Sequence, residues 1–103
     1  MNLKLTFFSD PGHGWLRVPL KTLVSLDLVA NMTPHSYVNL NSKRAYCYLE
    51  EDCDCPTFLQ ALEERGITPK ISHRISNNES SIRTYWPFNQ QTVGWARQYL
   101  IHE

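Results

Sequence analysis

His13 stands between two glycines and beside a tryptophan in the stretch SDPGHGWLRVP, Ser9 to Pro19. An imidazole titrates near pH 6.5, so it exchanges protons at neutral pH. Flanking glycines would let a substrate approach the backbone. Asp10, three residues upstream, could hold the ring in one tautomer. His13 and Asp10 are therefore the catalytic pair to expect if the chain is an enzyme. The same residues also make a tight turn, with Pro11, Gly12 and Gly14 shaping the backbone, the glycines at positive φ, and Trp15 plugging the core. No Ser or Cys at a recognisable motif spacing accompanies His13, and the turn account is the one preferred.

The second group is EEDCDC, Glu50 to Cys55. Cys53 and Cys55, joined by His13 or His73, have the chemistry of zinc ligands. Zinc sites usually pair their ligands twice, with about two to four residues inside each pair. Here there is one close Cys-x-Cys and no second pair. The carboxylates suit magnesium or calcium, but their spacing matches no EF-hand loop. The expectation is no metal and no cofactor. Glu50, Glu51, Asp52 and Asp54 then serve as the acidic start of a helix, and also as a patch able to dock a basic partner surface.

Two further surfaces carry interface chemistry. Lys70, His73, Arg74, Arg83, Tyr85 and Trp86 bring cations next to aromatic rings, the usual anchors of interfaces; Arg beside aromatics also stacks on single-stranded bases. The C-terminal helix carries Trp95, Tyr99 and Ile101; Trp95 and Tyr99 are four apart and share one side of it, while Val93, Ala96 and Leu100 form another stripe. One stripe fits the core. The other is left for a partner or a second copy of the chain.

These residues need a frame. Leu3–Phe8 alternates as a half-buried strand, and Pro19–Ser25 is a short helix with Pro in its first turn. SYVNL and RAYCYLE make a hairpin, with Ala45, Cys47 and Leu49 on the core side and Arg44, Tyr46 and Tyr48 on the solvent side. A helix follows, capped by Asp54 and stopped at Gly66, with Phe58, Leu59 and Leu62 buried. PKISHRIS and SIRTYWPF form a second hairpin around NNES. A last helix starts at Asn89 and is weakened by Gly94. The order β-α-ββ-α-ββ-α predicts an α+β fold: a mostly antiparallel sheet of about five strands with two or three helices.

At 103 residues the chain is one domain, residues 1–103, with one modest core. Ten basic residues balance ten acidic ones, which argues against a nonspecific nucleic-acid binder unless charge is segregated by face. No apolar run approaches the roughly 20 residues that span a bilayer, and the N-terminus lacks signal-peptide character. Cys47, Cys53 and Cys55 are an odd set, so free thiols and a cytoplasmic location are expected.

DPGHGWLRVP and AYCYLEEDCDCPTFLQALEERGI together resemble a family of small uncharacterised proteins encoded by phages and plasmids. The resemblance covers about half of the chain. It implies a mobile-element accessory protein that binds and inhibits a host protein, of the anti-CRISPR or another anti-defence type. The partner implied is a host protein such as a nucleic-acid-binding defence complex; the lack of an apolar span argues against a membrane partner, the balanced charge favours protein over nucleic acid, and homodimerisation stays open. The alternatives are a small metal- or His-dependent hydrolase or nuclease at the His13 loop, and a nucleic-acid-binding regulator.

Overall fold

The structure, a computed structural model, describes residues 2–41 and 43–100. Alternation of apolar and polar residues builds its strands in pairs. β1 (Lys4–Ser9) and β2 (Gly14–Pro19) form a hairpin around the turn at 10–13. β3 (Tyr37–Asn41) and β4 (Arg44–Glu50) form another. β5 (Lys70–Ile75) runs parallel to β1, and the two-residue β6 (Trp86–Pro87) lies beside β3. The order across the sheet is β5-β1-β2-β4-β3-β6, antiparallel except at β1–β5.

Three helices, α1 (Leu20–Ser25), α2 (Asp54–Glu64) and α3 (Gln90–Arg97), pack on one face. Leu5, Leu16, Val18, Val38, Ala45, Cys47 and Leu49 project from the strands to meet Leu20, Leu23, Phe58, Leu62, Val93 and Ala96. Fully burying one such side chain contributes roughly 1.5–3 kcal/mol, so this layer holds the sheet. The fold is α+β, as the alternation predicts.

The second predicted hairpin is not formed. β5 and β6 sit at opposite edges, and the segment between them crosses the helix-free face. Residues 76–85 form a strap over one end of that face. Ser76 N–H donates to the Ser9 carbonyl, and the 3-10 turn Ser81–Thr84 lays Ile82 on Trp15 and Tyr48. The solvent side expected for β4 is consequently covered at Tyr48, while Tyr46 is half-buried. WLRV lies within β2, between β1 and β4, and the strap covers its helix-free side at Trp15.

Helix ends follow local rules with one exception. Gly66 at φ +70° ends α2, with Ile67 N–H on the Leu62 carbonyl and Gly66 N–H on the Glu63 carbonyl, a Schellman pattern. Asn89 and Thr92 exchange hydrogen bonds in a capping box at α3. Asp54 is not the cap expected of it. Cys53 holds that position without a side-chain bond, and the Asp54 carboxylate turns back to another loop. α3 ends at Arg97, so Tyr99 and Leu100 lie just beyond it, and Ile101 falls outside the described residues.

Gly12 and Gly14 are not at positive φ, contrary to the turn account. Gly14 is required by close approach: a Cβ there would sit 2.5 Å from the Phe7 ring. Gly14→Ala should therefore destabilise by about 1–3 kcal/mol through overpacking. Urea unfolding checks this, and a loss no larger than for Gly94→Ala, where a Cβ meets open space, would count against it.

Candidate functional site

One end of the sheet gathers the β1–β2 turn, the loop before β3, the start of α2 and the strap. Two carboxylates with almost no exposure hold these segments together. The Asp10 side chain is fully buried and accepts from Gly12 N–H and His13 N–H at 2.9 Å each and from Ser80 N–H at 2.8 Å. Arg83 closes the ring as a fork, Nε on one carboxylate oxygen at 3.0 Å and Nη2 on the other at 2.9 Å. The guanidinium lies over the Trp15 ring at 5.4 Å. Arg83 first, then the backbone donors led by Ser80, hold the Asp10 carboxyl well below the usual carboxylate range.

Asp54 does the same on the other wall. It is 1% exposed and accepts Thr33 N–H and Thr33 Oγ1 at 2.9 Å, together with the Ser36 hydroxyl. Ser36 Oγ in turn accepts the Glu50 N–H at 2.9 Å. A buried carboxylate is costly unless hydrogen-bonded, so both are committed to shaping loops.

Between the walls lies an open cleft of about 440 Å³ lined by His13, His35, Tyr37, Glu50, Cys53 and Arg83. The turn does bring His13 to the start of the acidic cluster. The predicted catalytic pair is nevertheless not made. Asp10 engages the backbone of His13 and not its ring, which lies tilted against Trp15 with centroids 6.0 Å apart. Thr33 Oγ1 is 3.6 Å from Cys53 Sγ. His35 was missed from sequence because nothing in TPHS says that this loop folds beside the DPGHG turn.

The zinc set is not assembled. Cys53 lines the cleft, whereas Cys55 faces the core beneath α2, and His73 packs on Phe7 at the β5 edge. Among the described residues no three His, Cys, Asp or Glu side chains converge as a metal set. Burial pushes the Cys47 thiol up; burial and then the charges of Glu51 and Glu50 push Cys55 up to about 11. Neither is a thiolate at neutral pH.

The acidic patch shrinks to Glu50, Glu51 and Asp52, because Asp54 is inside. The predicted basic and aromatic hairpin surface is divided. Lys70, His73 and Arg74 lie on β5 at one edge; Arg83 is bound to Asp10; Tyr85 packs on Tyr48, centroids 5.0 Å apart; Trp86 lies at the other edge.

Trp86 instead joins the C-terminal pair. Its ring centroid is 5.9 Å from that of Trp95, which is 5.9 Å from Tyr99. Trp86 is 58% exposed and Trp95 38%. A concavity of about 550 Å³ beside them is lined by Pro87, Asn89, Gln91 and Thr92, none charged.

No family model, curated protein or solved structure matches the chain. No helix is long and apolar enough to cross a membrane among the described residues.

Proposed function

We propose that this chain is a non-catalytic binding protein whose partner is another protein, docked on the Trp86–Trp95–Tyr99 surface. The observation that carries this reading is the exposed tryptophan pair. Two indoles in tilted contact beside an uncharged hollow present large, rigid, apolar area, and such anchors dominate protein interfaces. The commitment of Asp10 and Asp54 to loop backbone adds to it, because neither carboxylate is free to assist a neighbouring imidazole. An accessory role for a phage or plasmid, acting in the host cytoplasm on a defence protein, is supported by the DPGHGW and YLEEDCD resemblance.

The test is affinity capture with the wild type beside a Trp86→Ala, Trp95→Ala double variant. Truncating an anchor typically costs about 2 kcal/mol or more, so the variant should lose well over tenfold in recovered partner with its circular dichroism unchanged. Equal recovery by both proteins, or no stoichiometric partner above a charge-matched control, would refute the reading.

A further inference from the structure

Positive and negative charges cancel in sum but not in space. The strand registers place Lys4, Arg17, Arg44, Lys70 and Arg74 on the helix-free face, together with Thr6, Phe8, Tyr46 and Ser72. Within the strands only Glu50 brings a carboxylate to this face, at the end beneath the strap beside Trp15. Half of the basic residues thus share one surface of a formally neutral chain.

Two details point to an anion there. Lys4 and Lys70 are register partners across the parallel pair β1–β5, so two like charges stand side by side on neighbouring strands and repel each other. Among the described residues neither forms an ion pair. A shallow hollow of about 260 Å³ lies against them, lined also by Ser72, whose hydroxyl is 3.3 Å from that of Thr6. Next to this, the Arg17 guanidinium stands 5.2 Å from the Phe8 ring and 5.0 Å from the Tyr46 ring.

We propose that the helix-free face binds single-stranded nucleic acid, with phosphates on Lys4, Lys70, Arg74 and Arg44 and bases stacked on the Phe8–Arg17–Tyr46 platform. A strand offers the spaced negative charges that the opposed lysines lack and the flat rings that half-buried aromatics accept. A duplex keeps its bases stacked internally and gains nothing from the platform. An acidic protein surface would satisfy the cations but not the rings. The site is separate from the tryptophan surface, so either can fail alone.

Fluorescence anisotropy with dye-labelled oligo-dT tests the proposal. Binding should weaken with salt by a log–log slope of about 0.7 for each phosphate contacted. Lys4→Gln with Lys70→Gln, both exposed, should reduce that slope by about 0.7 per lysine removed. Tyr46→Ala should weaken binding roughly tenfold through lost stacking. Absence of binding at low salt overturns the proposal, as does an unchanged double-lysine variant. Equal affinity for a duplex, or equal competition by polyglutamate, overturns it in favour of a general anion or acidic-protein surface.

Discussion

Asp54→Ala is expected to lose about 3 kcal/mol of stability, from a single side chain that a sequence reader would place on the surface. Its carboxylate takes two bonds from Thr33 and one from Ser36, and Ser36 holds the last N–H of β4. Each donor left unpaired in the interior costs about 1–3 kcal/mol. Several are involved, so 3 kcal/mol is a conservative sum. At about 4–8 °C per kcal/mol, the thermal midpoint should fall by more than about 10 °C. Asp54→Asn keeps an acceptor oxygen for the same donors. Neutral bonds are about half as strong as charge-assisted ones, so it should lose about half as much. Asp52, two residues earlier and exposed, is the comparison: Asp52→Ala should stay within about 0.5 kcal/mol. Thermal unfolding of the three variants decides the matter. Similar midpoints for Asp54→Ala and Asp52→Ala would show that the loop at 33–36 does not depend on the buried carboxylate.

What sequence could say tracks how local each cause is. Gly66, Asn89 and the β3–β4 hairpin were legible because their determinants lie within a few residues: a left-handed position, a cap with its partner three residues on, two alternating runs around a polar turn. Asp54 misled because the N-cap rule is local, whereas Thr33 and Ser36 compete for the same carboxylate from 21 and 18 residues away. The hairpin assigned to PKISHRIS and SIRTYWPF failed for the same reason. Alternation identifies strands but not neighbours. β5 pairs with β1 in parallel, and the strap then carries the chain to the opposite edge. The cleft is the hardest case. His13, His35 and the Glu50–Cys53 turn come from three segments that only tertiary packing joins. Net charge concealed the basic face, since a sum over the chain carries no information about sidedness.

Asp10→Asn should abolish the most strongly pH-dependent part of the protein's stability and free the strap. The amide keeps one acceptor for Gly12 N–H, His13 N–H and Arg83 Nη2, but its NH₂ then faces Ser80 N–H and Arg83 Nε, donors against a donor. The sign of the pH effect follows from the native carboxyl lying below the ordinary value of about 3.9. Protonation is disfavoured in the folded state, so the pair's stabilisation is complete above the unfolded pKa. It is lost as the pH falls through the range below about 4. Wild type should therefore exceed Asp10→Asn by its full margin at neutral pH, and the two curves should converge on acidification. Arg83→Lys keeps a cation but not the two parallel bonds and should fall between them. Urea unfolding across pH measures the margin, and one that did not narrow in acid would rule out the Asp10–Arg83 pair as its source. Proteolysis at residues 76–79 reads the strap independently. Faster cleavage in Asp10→Asn at neutral pH, with the cores of α2 and β4 still protected in hydrogen exchange, would follow from a local release. In that light the DPGHGW stretch is an anchor for a distant segment: Asp10 and Trp15 both engage Arg83, and the turn they hold sets His13 at the wall of the cleft.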